Sequence, residues 1–531
     1  MTQPTNEMEW LLDIYSHDYR FNSPPDTEKI KLSQLISKLG FLYEKFRNAI
    51  DYNEEHLVRR NALERILKRQ ILFLAEKKPG KIGQTLIFEF IRARYLPNNE
   101  LPETIIEAVS QTVEKYLNVI AHIINSRLPG QKKLIGWTIS LAACEIGEQL
   151  NPAIVKEEAM ANFMYSHLVD NLAFINTTIS EKEKNLQIYL AMLKTLFKAD
   201  RIYLSYQLLK LYVPNWRGDA AQEVANFCVN VLKVKNKIDW HINHPIGFQL
   251  TRTVRPQAVF FTILKEIMDK NKDELAETFH HAERLEAKIQ EIAISKYQKI
   301  RGKLIGTIIR VIIYIFLTKT VLAFILELPY DYFALQQINW RSLGINVAFH
   351  PLLMFFIAIT IRVPGQKNTS IIITEIKKIV SGQERKLVFK PKPIMRRGSP
   401  SYLIFNLIYL IMFAVSFGLI ISALNFLQFN IVSGVLFVFF LTIVSFFGFR
   451  LRNLANQFSV LPRKDNLINF LIDFISLPIV RVGRFVSTNF SKINIFLFIL
   501  DFIIETPFKL LVEFLEQTTS FIKEKREEIT E

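Results

Sequence analysis

The sequence predicts an all-α membrane protein: a cytosolic helical domain built as a bundle or α-solenoid, a four-helix transmembrane domain, and C-terminal amphipathic helices. Three observations predict it. Four long apolar runs stand in the second half of the chain, at Leu304–Leu326, Ile345–Ile361, Tyr402–Leu427 and Ile431–Phe449. Apolar residues recur at three- and four-residue steps from Asp26 to about Ile300, the period of an amphipathic helix. Lys and Arg, finally, alternate with the apolar runs. At ~1.5 Å per residue the runs are roughly 26–39 Å long, against a hydrocarbon core of about 30 Å.

Residues 1–25 read as a flexible tail ending in Ser23-Pro24-Pro25. No basic stretch followed by an apolar one opens the chain, so a cleaved signal peptide is not expected. Residues 26–300 form the helical domain. One stripe runs through Ile30, Leu32, Leu35, Ile36, Leu39, Leu42 and Phe46, and the next through Leu57, Leu63, Ile66 and Leu67. Breaks fall at Pro79-Gly80, Pro97-Asn98-Asn99, Pro129-Gly130, Asn151-Pro152 and Pro214, which suggests stacked antiparallel hairpins. Lys237 to Pro256 reads as irregular. The stripe Leu275, Phe279, Ala282, Leu285, Ile289 and Ile292 continues into the first apolar run with only Gly302 at the junction. A nearly continuous helix joining soluble and membrane parts follows from that.

The transmembrane domain occupies residues 301–450, with a basic cytosolic loop at 362–401. Its orientation comes from the short loops. Lys296, Lys299, Arg301 and Lys303 precede span 1, and Arg450, Arg452, Arg463 and Lys464 follow span 4. The 1–2 loop holds only Arg341, and the 3–4 turn holds no charge. Both termini are therefore expected in the cytoplasm of a multi-pass protein of the plasma or inner membrane. Spans 3 and 4, joined by a short turn, are expected to form a tight hairpin. Ala414, Gly418 and Ser422 give span 3 a small-residue face that another helix could approach closely.

Residues 451–531 carry two amphipathic segments, 466–477 and 493–523. Asn466, Asn469, Asp473 and Ser476 share one side of the first, and Pro478 follows it. Such helices lie in the interface or along the flank of a bundle.

The candidate site residues are the charges within the membrane part. Arg310 and Lys319 sit inside span 1, nine residues apart and so on opposite sides of the helix. They either extend to the headgroups or pair with Asp501 and Glu505 of the last helix. His350, before Pro351 in span 2, is a satisfied polar group or a proton relay. In the 362–401 loop, Lys377, Lys378, Arg385, Lys386, Lys390, Lys392, Arg396 and Arg397 suit anionic headgroups. A short amphipathic helix with Ile371, Ile372, Ile376 and Ile379 lies in the same loop.

The net charge of +16 is concentrated beside the spans, and aromatic interleaving is absent, so nucleic acid is not expected as a partner. Cys144 and Cys228 are far apart and read as buried thiols. His241-Ile-Asn-His244 has a metal-like spacing but no acidic or Cys neighbours. Neither a metal nor a cofactor is expected, and no catalytic motif supports an enzyme. The leading expectation is a membrane-anchored scaffold or adaptor, with a protein partner on the helical domain and a homo-oligomer allowed. The alternative is a transporter or channel using the intramembrane charges. A lipid-acting enzyme at the membrane face comes third.

Overall fold

A computed structural model describes residues 4–19, 55–175, 179–216, 221–270, 272–383, 386–392, 399–461 and 467–492, with scattered residues between 21 and 45 and between 514 and 522. The fold is all-α. Helix α1 is Asn6–Ser16, α2 Glu55–Lys68, α3 Pro79–Arg92, α4 Thr104–Asn125, α5 Gln131–Gln149 and α6 Ile154–Asn171. A short strand β1, Leu172–Phe174, precedes α7 Glu181–Leu196, α8 Arg201–Tyr212, α9 Ala221–Ile242, α10 Pro245–Lys270 and α11 Leu275–His280. Then come α12 Ala282–Leu322, a π-turn at Ala323–Glu327, α13 Leu328–Phe333, α14 Trp340–Thr360 and α15 Gln366–Val380. Strand β2, Leu387–Phe389, leads to α16 Pro400–Phe426, α17 Ile431–Ala455 and α18 Leu467–Lys492.

The chain divides into two compact units, and one boundary between them falls inside α10, between Val254 and Arg255. Residues up to Ile300 that follow this point therefore group with the apolar helices. The segment read as irregular, Lys237 to Pro256, is helical apart from a tight turn at Asn243-His244. Pro245 starts α10 at a position where the missing N–H costs nothing. Pro256 is accommodated inside the same helix.

Helix α5 is the centre of the unit that holds residues 13–172 and 177–254. It packs against α2, α4 and α8, and nearly every residue from Trp137 to Ile146 is buried. That arrangement is a bundle around one enclosed helix rather than an open solenoid. Its sequence explains the position: Ser140, Ala142, Ala143 and Gly147 are small enough for neighbours on several sides. Two buried carboxylates on α5 are compensated. Glu145 accepts from Tyr116 Oη (2.8 Å) and Trp216 Nε1 (2.9 Å) and pairs with Lys115 Nζ at 2.5 Å. Glu148 accepts from Gln207 Nε2 at 2.7 Å and pairs with Lys210 at 3.2 Å. Such a network is favourable only because its members are satisfied.

Cys144 and Cys228 are both free and buried. Burial pushes the Cys144 thiol up to about 12, so almost no thiolate exists near neutral pH. Maleimide is therefore expected to leave Cys144 of the native protein unlabelled and to label both cysteines in denaturant. Fast native labelling of Cys144 would contradict its enclosure.

Among the described residues, four helical stretches are long and apolar enough to cross a membrane: Ala282–Phe333, Trp340–Thr360, Pro400–Phe426 and Ile431–Phe458. They match the four apolar runs of the sequence, two of which extend one residue further. The first realises the continuous helix: α12 runs for 41 residues without a break, Gly302 included. At ~1.5 Å per residue that is about 60 Å.

Helix α15 is the amphipathic helix of the basic loop, but its apolar face meets protein. Ile372, Ile376, Ile379 and Val380 are buried, and α15 packs on α12. Asn368 Nδ2 donates to Tyr297 Oη (2.9 Å) and to the Phe458 carbonyl (2.8 Å).

The hairpin of spans 3 and 4 is not tight. Helices α16 and α17 touch through few residues, and α18 packs extensively on α17 while also contacting α16. Leu424 of α16, Phe437 and Leu441 of α17 and Ile479 of α18 share one apolar cluster. Helix α18 also corrects the short amphipathic segment expected at 466–477, since it continues through Pro478 to Lys492. Contacts beyond the proline hold it: Ile479 enters the cluster, and the Arg481 guanidinium lies 4.7 Å from the Tyr409 ring centroid. Its apolar residues Leu467, Phe470, Leu471, Ile472 and Leu477 are exposed, while Asp473 and Ser476 are half-buried. This is the inverse of a soluble helix and suits an apolar surround. The second expected amphipathic segment, 493–523, lies outside the described residues apart from a few positions.

A buried polar cluster among the apolar helices

Helix α14 is apolar on most of its circumference, yet it buries Ser342, Asn346, His350 and Met354. These are four residues apart, so they form one inward stripe. The polar members meet a charge pair on the first spanning helix. Lys319 Nζ lies 3.6 Å from Glu327 Oε1, and both side chains are fully enclosed.

The π-turn creates that pair. In a regular α-helix, residues eight apart are rotated by about 80° and would not face the same way. A π-turn takes up roughly one extra residue, which reduces the offset to about 20°. Ala323–Glu327 is such a turn. It brings Glu327 round onto the Lys319 face, toward α14 and α17.

Glu327 is then surrounded by donors. Asn346 Nδ2 lies 2.7 and 2.8 Å from its two oxygens, and Ser433 Oγ donates to Oε2 at 2.9 Å. Asn346 Nδ2 also approaches the Ser433 carbonyl at 3.2 Å, tying α14 to α17. Helix N-termini contribute as well. Asn339 caps α14 by accepting from Ser342 N, and Asn430 caps α17 by accepting from Ser433 N. Both positive helix ends therefore lie beside Glu327 and the nearby Asp331. Asn430 Nδ2 donates to Asp331 Oδ1 at 2.5 Å, and Asn339 Nδ2 to the Gln428 carbonyl at 3.2 Å. The two short connections, after α13 and after α16, are thus fastened together.

His350 lies one turn beyond Asn346 and is fully enclosed. Its Nδ1 is 3.1 Å from the Asn346 carbonyl and its Nε2 is 3.0 Å from the Phe437 carbonyl. Lys319 Nζ sits 4.7 Å from the Phe440 ring centroid and donates no hydrogen bond. The Asn346 Oδ1 likewise has no hydrogen-bond partner.

Of the intramembrane candidates, the structure brings Lys319 and His350 together and leaves Arg310 apart. Lys319 turns inward to Glu327 rather than outward to headgroups. Arg310 is exposed on the opposite side of α12, where its Nε donates to the Gly306 carbonyl at 3.0 Å. Asp501 and Glu505 lie outside the described residues.

Among the basic-loop candidates, Lys377 pairs with Glu286 at 2.5 Å and Lys378 with Glu375 at 3.2 Å. Lys386, Lys390 and Lys392 are exposed, and Arg385, Arg396 and Arg397 lie outside the described residues. Ala414, Gly418 and Ser422 point outward, with open space where a Gly418 side chain would stand. The buried side of α16 carries Met412, Ser416 and Leu424 instead.

Glu327, Asn346, Ser433, Asp331 and the two capping asparagines were not singled out from the sequence. A signal for some was present. Asn339-Trp-Arg-Ser342 and Asn430-Ile-Val-Ser433 repeat one helix-start pattern at the heads of two apolar runs. The Ser342, Asn346, His350 spacing also marks a polar face. For Glu327 no such signal exists, because a π-turn has no sequence signature of its own.

His241 Nδ1 lies 2.9 Å from Glu183 Oε2, and its Nε2 contacts Tyr212 Oη. Among the described residues no group of three or more His, Cys, Asp or Glu could hold a metal ion. No protein-family model, curated protein or solved structure matches this chain.

Proposed function

We propose that the protein is a membrane-anchored adaptor that holds a helical domain against the cytosolic face of a membrane for a protein partner. The observation that carries this reading is the unbroken α12, half charged and half apolar, which extends a membrane helix well beyond the hydrocarbon core. Its charged half is braced by Lys377–Glu286 and by Asn368–Tyr297. In this reading both termini are cytoplasmic, and exposed Lys386, Lys390 and Lys392 meet anionic headgroups.

The outward face of α9 supplies the partner surface. Val229, Lys233, Lys237 and Trp240 recur along it, and exposed Phe248 follows at the start of α10. Exposed aromatics rimmed by Lys are common anchors at interfaces. A photocrosslinking residue placed at Val229 or Trp240 of the full-length protein in its native membrane should give one discrete adduct. That adduct should disappear on Phe248→Ala. Absence of any adduct from this face, with a crosslinker at Phe485 as control, would remove the reading.

The buried Lys319–Glu327 cluster favours a second reading, a transporter or channel, because ionisable groups inside a membrane commonly mark solute or ion pathways. Measured flux in proteoliposomes that vanishes with Lys319→Met would support it.

A further inference from the structure

We infer that His350 is a proton-binding site whose occupancy is set by Lys319. The evidence is the arrangement of hydrogen-bond acceptors. Both imidazole nitrogens of His350 face backbone carbonyl oxygens, Asn346 at 3.1 Å and Phe437 at 3.0 Å. A carbonyl oxygen can only accept, and a neutral imidazole has a single N–H. In the neutral ring one nitrogen lone pair therefore points at an oxygen lone pair. Only the imidazolium makes both hydrogen bonds, so the two carbonyls form a receptor for a proton.

A second observation limits when that proton enters. The charged groups facing α14 from the elements packed on it are Lys319 on α12 and Glu327 on the π-turn, with Asp331 just beyond. Arg310 faces away, and Arg452 of α17 lies at the far end of α14, donating to Thr360. Phe440 contacts both groups: its centroid is 4.7 Å from Lys319 Nζ and 5.8 Å from the His350 ring. The ammonium and the imidazole are thus at most about 11 Å apart in a medium that screens poorly.

Glu327 compensates one positive charge and not two. Its oxygens are held by Asn346 and Ser433 as well as facing Lys319. Asn346 links the sites, giving its amide hydrogens to Glu327 while its backbone carbonyl faces His350. While Lys319 is an ammonium, a proton on His350 sets a second cation beside one carboxylate, so Lys319 opposes the imidazolium that the two carbonyls favour. The proton enters from solvent at the His350 nitrogen that lacks one. The ligand is the proton itself. This inference needs neither the adaptor reading nor measurable solute flux.

The test is a pH titration of full-length protein in lipid nanodiscs, with 15N-labelled histidine observed by NMR. The His350 signal is identified by its loss in His350→Gln. An imidazolium signal is expected for His350 at acid pH. In Lys319→Met its midpoint should rise by at least about one pH unit, a tenfold gain in proton affinity. In Lys319→Arg, which keeps the charge, the midpoint should stay near that of the wild type. A His350 that stays in one neutral tautomer in the wild type throughout the folded pH range overturns the inference. So do midpoints that coincide in the Met and Arg variants. If either variant fails to elute as a folded species, the wild-type titration alone decides between imidazolium and fixed tautomer.

Discussion

Replacing Glu327 by Leu is expected to destabilise the membrane domain by about 3–5 kcal/mol, enough to cause loss of folded protein on extraction. The argument rests on what would remain. Lys319 is fully enclosed, and among the described residues its ionic partner is Glu327. Without that carboxylate, an ammonium stands among apolar helices, and Asn346 Nδ2 and Ser433 Oγ lose their acceptor at the same moment. The diagnostic comparison is the double variant Lys319→Met with Glu327→Leu. It removes both charges together and replaces them by apolar groups of similar length, so most of the loss should be recovered. Thermal unfolding followed by size-exclusion chromatography of the solubilised full-length protein measures both. Equal melting of Glu327→Leu and wild type would show that the pair contributes nothing. A double variant no better than Glu327→Leu would show that Glu327 acts mainly through Asn346 and Ser433.

The reach of the sequence differs between these elements for identifiable reasons. The four spanning stretches were legible because ~20 apolar residues in a row can satisfy their backbone in a membrane only as helix. The continuity of α12 was legible because nothing in its sequence interrupts it; Gly302 alone is a weak breaker. Lys237 to Pro256 reads as irregular in the sequence, yet the structure makes it helical on both sides of one tight turn. Pro245 begins a helix and Pro256 is tolerated within one. The partner of Lys319 was misplaced for a different reason. Helical geometry with a fixed period puts Glu327 off the Lys319 face, and only the π-turn corrects the phase. Glu327 consequently reads as the first residue of a loop, when it is the most enclosed carboxylate of the cluster. His350 stood out as a lone histidine in an apolar run. What makes it chemically distinct, two acceptors and no donor, is a property of backbone carbonyls and is invisible in the sequence.

The position of α18 was the other illegible feature, and it sets up the second large effect. Gly483→Leu should separate α18 from α17. At Gly483 the two helices approach so closely that a Cβ would collide with the Thr442 carbonyl oxygen and lie 2.9 Å from the Phe446 Cβ. The oxygen belongs to the α17 backbone, so it cannot swing aside as a side-chain tip could. Even Gly483→Ala requires the helices to move apart, at a cost of about 1–3 kcal/mol. Leu adds a branched side chain at the same point and should open the contact over its whole length. The loss would reach Ile479, one turn away, and the cluster it forms with Leu424, Phe437 and Leu441. Disulfide trapping reads this directly. Cysteines placed at Ile479 and Leu441 should crosslink on mild oxidation in the otherwise unchanged protein and fail to crosslink when Gly483→Leu is added. Gly448 provides the matching control on the other side of α17, where a Cβ would lie 2.7 Å from Ile357 Cγ2. There the obstacle is a side chain that can rotate, so Gly448→Ala should cost less than Gly483→Ala and leave the α17–α18 crosslink intact. If instead both alanine variants melt alike and Gly483→Leu still crosslinks, α18 does not owe its place to the close approach at Gly483.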